Sequence, residues 1–93
     1  VFSWDAQKAI SNYGKHGVSF EEAATVFSDP DALDWADPGH SASELRSKRL
    51  GISLAGRVLL VIYTLRRPRR GQEGIRIISA RQASRKERKA YAG

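Results

Sequence analysis

Apolar residues first recur along this chain at helical spacing. Ala6, Ala9, Ile10 and Tyr13 follow Asp5, a good N-cap, so residues 5–15 are expected to form an amphipathic helix that Gly17 stops. Ser19 with Glu22 three residues on makes a capping box. Phe20, Ala23, Ala24 and Phe27 supply the apolar stripe of a second helix, which Asp29-Pro30 ends. The period then changes from helical to extended. A short strand is expected over 32–36 and a turn at Asp37-Pro38-Gly39. A half-buried strand follows over 44–54, with Leu50, Ile52 and Leu54 facing one way and Arg49, Gly51 and Ser53 the other. Ala55-Gly56 is a tight hairpin connection into the β-branched apolar run 58–63, which reads as a central strand covered on both faces. Proline and clustered charge make Arg66-Arg67-Pro68-Arg69-Arg70-Gly71 an exposed loop before a strand over 75–80. Ser84 and Glu87 repeat the capping box and open a terminal helix through Ala92. Two helices, three or four antiparallel strands and a closing helix define an α+β fold, with one sheet face packed by helices and the other open to a ligand.

Composition narrows the functional classes. With 93 residues, 41% of them apolar, one small core is expected, hence a single domain over 1–93. The absence of cysteine excludes disulfides and thiolate–metal sites. Two histidines, His16 and His40, without a compact carboxylate cluster fall short of metal-ligand spacing, and no nucleotide-binding glycine loop occurs, so no cofactor is expected. No stretch approaches the roughly 18 apolar residues of a membrane span, and the first residues lack a basic-then-apolar signal pattern; a cytoplasmic chain is the expectation.

Charge changes the picture more. The net +6 divides into −6 over residues 1–44 (two lysines against eight carboxylates) and +12 over residues 45–93 (fourteen Lys or Arg against Glu73 and Glu87). A half-chain of such positive density suits a polyanion, nucleic acid above all. His16 is the first candidate for proton transfer, since histidine's ordinary pKa of about 6.5 lies near working pH; its other reading is a cation meeting the carbonyl end of the first helix. His40 reads as an exposed turn residue. Glu44 and Arg46, two apart on a strand, project from one face, as a carboxylate base beside a phosphate-clamping guanidinium or as a plain surface ion pair. Arg76, Arg81 and Arg85 are expected to converge at one end of the sheet, where an anion, or Glu87, would relieve their mutual repulsion. Arg66, Arg67, Arg69, Arg70 and Arg85 read as nonspecific nucleic-acid phosphate contacts or part of a partner-protein interface rather than catalytic elements. Tyr63 reads as a core tyrosine, with proton donation or stacking on a base as its other reading; Trp4 and Trp35 read as packing residues.

Several blocks, in order, resemble one family: Phe2-Ser3-Trp4-Asp5; Lys15-His16-Gly17-Val18-Ser19-Phe20-Glu21-Glu22-Ala23; Asp37-Pro38-Gly39-His40-Ser41 with Glu44 and Arg46; the strand 59–64; and Ile75-Arg76-Ile77-Ile78-Ser79-Ala80-Arg81 leading to Glu87-Arg88. The chain is similar to the BrnT toxins of type II toxin–antitoxin systems. That resemblance implies a RelE-like, microbial ribonuclease-like fold and metal-independent RNA cleavage that stops translation. It also implies neutralisation by a BrnA-like ribbon-helix-helix antitoxin, with two toxins around an antitoxin dimer and operator DNA touched only through the antitoxin. It strengthens Lys15, His16, Glu44, Arg46, Arg76 and Arg81 as the catalytic set. The basic connection at 66–74 is longer than the family pattern. Two other classes fit the charge without any acid–base pair: a noncatalytic nucleic-acid-binding module, and an interaction protein whose basic face meets an acidic partner. Against the first stand the lack of a helix-turn-helix spacing and of surface aromatic pairs on the sheet.

Overall fold

Local start and stop signals fix the helices. In the computed structural model, which describes residues 1–37, 45–66 and 74–93, helix α1 spans Ala6–His16. The Asp5 carboxylate accepts from the Lys8 amide, and Gly17 ends the helix in the left-handed region at φ 65°, its amide bonded to the Tyr13 carbonyl. Helix α2, Phe20–Thr25, starts on Ser19, whose hydroxyl accepts from the Glu22 amide, and continues into a 3₁₀ turn, Val26–Ser28, that stops before Pro30. The expected capping box is only half formed there. The Glu22 carboxylate turns away from its own N-cap to accept hydrogen bonds from Ser53 and Arg57. Helix α3, Arg85–Ala92, carries the complete box between Ser84 and Glu87.

Five strands form one sheet: β1 (Phe2–Ser3), β2 (Leu33–Asp37), β3 (Arg46–Ile52), β4 (Val58–Arg66) and β5 (Gly74–Gln82), in the order β1-β5-β4-β3-β2. β1 lies parallel to β5 and the remaining pairs are antiparallel. The sheet is therefore mixed and five-stranded, not a purely antiparallel set of three or four. Two residues are too few to show a period of two, which is why β1 has no signature in the sequence. β4 also runs further than expected, since Arg66 still pairs with Gly74.

The helical layer covers one face. Val18, Phe20, Ala23 and Val26 bury against Leu59, Val61, Ile77 and Ala80, each large side chain contributing about 1.5–3 kcal/mol of burial. Leu50 and Leu60, on the opposite face, pack with Ala83 and Tyr91 under α3, which closes one end of that face. Alternation in β3 departs from expectation at its end: Ser53 is buried through its bond to Glu22, while Leu54 is 83% exposed. Beyond β1, the outer edge of β5 is met by a buried side chain from α1. Asn12 donates to the Val18 and Ala80 carbonyls at 3.0 and 2.8 Å, and its amide oxygen accepts from the Ala80 amide at 3.1 Å. One asparagine thus satisfies an edge peptide and draws the end of α1, with Lys15 and His16, alongside β5.

Candidate nucleic-acid interface

Directly opposed residues on neighbouring strands share a sheet face, so the register alone assembles the face left open by α3. One row reads Asp37, Arg46, Thr64, Arg76; the next Trp35, Lys48, Ile62, Ser79; the third Leu33, Leu50, Leu60, Arg81. Arg76 and Arg81 are five residues apart and in a regular strand would point to opposite faces. The irregularity at Ile62/Tyr63, where Tyr63 pairs Ile77 and Ile62 pairs Ser79, inserts Ile78 and returns both to one face. They do not converge, however: at about 3.3 Å per residue they stand roughly 15 Å apart. Arg85 belongs to α3 and is exposed.

The cations of this face differ in how they are compensated. Arg81 is clamped by Glu87 through two hydrogen bonds of 2.8 and 2.9 Å. The guanidinium outweighs the opposing effect of burial and, with the Ser84 amide, holds the Glu87 carboxyl at about 2. Arg81 is thus neutralised within the fold, which is the structural alternative to a phosphate ligand. By contrast, among the described residues no ion pair involves Arg46, Lys48, Arg76, Lys15 or His16. Arg46 Nε and Thr64 Oγ1, side by side in the first row, are buried without a hydrogen-bond partner among the described residues.

A depression of about 280 Å³ on the open face is lined by His16, Lys48, Ile62, Ser79 and Arg81. His16 also borders a second, of about 190 Å³, together with Lys8, Lys15 and Ser79. The structure therefore brings Lys15, His16 and Arg81 to one stretch of β5, and Arg46 and Arg76 to the row beyond Lys48. Glu44, His40, Arg67, Arg69 and Arg70 lie outside the described residues, whereas Arg66 ends β4 and is exposed. Among the described residues no three carboxylate, imidazole or thiol groups gather as a metal site, and no helix is long and apolar enough to cross a membrane.

The aromatic residues part company. Tyr63 points into the helical layer, edge-on to Phe27 at 4.9 Å, with its hydroxyl donating to Asp34. Burial first, and Asp34 second, push it up to about 12, so it is a core tyrosine. Trp4 packs edge-on against Phe20. Trp35 does not pack as expected: it is 42% exposed, on the basic face beside Lys48. Lys48 and Trp35 are the residues missed by sequence reasoning; their placement follows from the pairing of β2 with β3, which only the three-dimensional register reveals.

Residues 4–87 match the family model described as the ribonuclease toxin BrnT of type II toxin–antitoxin systems. The chain belongs to the BrnT family. Among solved structures, the Brucella abortus ribonuclease toxin BrnT is 24% identical and superposes with a TM-score of 0.60 over 90% of this chain and 96% of that one, a likeness of fold. No curated protein matches the sequence. As a BrnT-family ribonuclease toxin, the chain has RNA for its substrate class and an antitoxin for its partner.

Proposed function

We propose that this protein is a RelE-like, metal-independent endoribonuclease that binds RNA across the open sheet face and inhibits translation in the cytoplasm. The observation that carries this reading is the alignment of Arg46, Lys48 and Arg76 on that face, with His16 at its rim and no internal ion pair among them within the described residues. Cleavage without a metal proceeds by attack of the ribose 2′-oxygen on phosphorus. The bond to the 5′-oxygen breaks, leaving a 2′,3′-cyclic phosphate and a free 5′-hydroxyl, and no water is consumed. The reaction needs a base for the 2′-proton, an acid for the 5′-oxygen and cations for the crowded phosphorane. His16, with Lys15 beside it, and Glu44 are assigned the proton transfers. Arg46 and Arg76 are assigned to the phosphate, and Lys48 extends that cationic row toward His16. An anion reaching Arg46 Nε and Thr64 Oγ1 would also relieve unmet hydrogen bonds that cost about 1–3 kcal/mol each. Arg81, held by Glu87, flanks the scissile phosphate as a positioning residue. Arg66, Arg67, Arg69, Arg70 and Arg85 extend the phosphate track.

Neutralisation is assigned to a BrnA-like ribbon-helix-helix antitoxin, two toxins flanking one antitoxin dimer, with DNA bound through the antitoxin alone. The test is incubation of the purified protein with single-stranded RNA in EDTA. Fragments ending in cyclic phosphate and 5′-hydroxyl are expected. Cleavage that vanishes in EDTA and returns only with a divalent cation would sink the mechanism. In bacteria, induced wild type is expected to arrest growth, and Arg46→Ala at matched soluble level to relieve the arrest.

A further inference from the structure

Trp35 occupies an unusual place for a tryptophan: an edge strand, 42% exposed, facing the basic side of the sheet. Its position in the row Trp35, Lys48, Ile62, Ser79 makes it the outward continuation of the depression that Lys48, Ile62 and Ser79 line with His16. At about 4.8 Å per strand, the backbone of Trp35 stands roughly 14 Å from that of Ser79 across the sheet. Among the described residues, the side-chain hydrogen bonds that anchor β2 do not involve it. The strand is held from its other side, where Asp34 accepts from Arg49 at 2.6 Å and from the Tyr63 hydroxyl. An aromatic plane left open to water, next to a lysine in no ion pair among the described residues, is the pairing that single-stranded nucleic acid uses, the ring for a base and the cation for its phosphate.

We propose that Trp35 is a base-binding residue, its indole stacking on a nucleobase of single-stranded RNA while Lys48 holds a neighbouring phosphate. The inference rests on RNA lying across the open face, as assigned above, and adds to it a site that fixes which part of the strand reaches His16. Stacking on an indole tolerates any base but requires an unpaired one, so the site selects unstructured RNA over duplex.

The test uses an oligonucleotide of 2′-O-methyl ribose, which cannot be cleaved because the attacking hydroxyl is blocked. Binding is followed by anisotropy of a label on the oligonucleotide and, separately, by tryptophan emission. Wild-type emission is expected to be quenched on binding and the quench to disappear in Trp35→Phe, where Trp4 alone emits. Trp35→Ala is expected to weaken binding about ten-fold or more, with Trp35→Phe staying near wild type. On cleavable RNA, Trp35→Ala raises KM and leaves kcat in place. Binding with unmoved wild-type emission and an unchanged Trp35→Ala affinity would overturn the stacking role while leaving RNA binding by the cations intact. Failure of the wild type to bind at all would overturn both.

Discussion

Gly51 shows how closely one backbone position can be specified. A Cβ built there would stand 2.9 Å from Ala32 Cβ and from Val26 Cγ1, and 3.0 Å from an Asp29 carboxylate oxygen. None of these is the loose end of a flexible chain: Asp29 is itself held by the Tyr91 hydroxyl and the Ile52 and Asp31 amides. Gly51→Ala is expected to destabilise the protein by about 1–3 kcal/mol, read as a lower urea midpoint at an unchanged m-value. At the same scale, Glu87 carries a pH dependence. Its folded pKa of about 2 lies below the ordinary 4.5, so the stability it supplies is present above pH 4.5 and is lost as pH falls toward 2. Arg81 is partly open to solvent, which screens the pair, so Glu87→Gln is expected to cost only about 1 kcal/mol at neutral pH. Thermal melts of the two proteins should differ at pH 7 and draw together by pH 2; a gap that persists unchanged in acid would assign the loss to something other than the carboxylate.

Elements were legible where a single residue starts or stops them, and less so where distant segments decide a side chain's surroundings. Asp5, Ser19, Gly17, Pro30 and Ser84 mark boundaries by short-range chemistry, and the structure places helix ends at each. The parallel β1 strand, the inserted Ile78 and the covered Ser53 all depend on partners tens of residues away. The same holds for the candidate site: the expected gathering of Arg76, Arg81 and Arg85 fails because the residues sit at different ends of the sheet, and Trp35 read as core because an edge strand cannot be told from an inner one by composition. Asn12 is the sharpest case: this polar residue is the buried one on α1, while Ile10 and Tyr13 of the expected apolar stripe are 69% and 60% exposed. Asn12→Ala leaves the Ala80 amide and carbonyl without these bonds, and about 1–3 kcal/mol of destabilisation is expected. Hydrogen exchange at Ala80 checks the cause: it should accelerate beyond what the global loss predicts.

Across the sheet, the two faces differ in how the described cations are paired. Two carboxylates of the acidic half are paired on the helical side, where Glu22 holds Arg57 and Asp34 holds Arg49, while Asp37 faces the other side opposite Arg46. Arg46, Lys48 and Arg76 are left on the other side without ion pairs among the described residues. If these three meet RNA phosphates, each releases counterions, and log K should fall with log salt by about 0.7 per phosphate on a single strand. Arg46→Ala is then expected to flatten the slope by about one such step. Replacing both members of the Arg81–Glu87 pair by glutamine removes no net charge and should leave the slope nearly unchanged, although it weakens the start of α3. Binding of an uncleavable oligonucleotide across a salt series separates these cases. Equal flattening by the two variants would mean that Arg81 gives up Glu87 for phosphate when RNA binds, and would move it from a positioning residue into direct contact with the substrate.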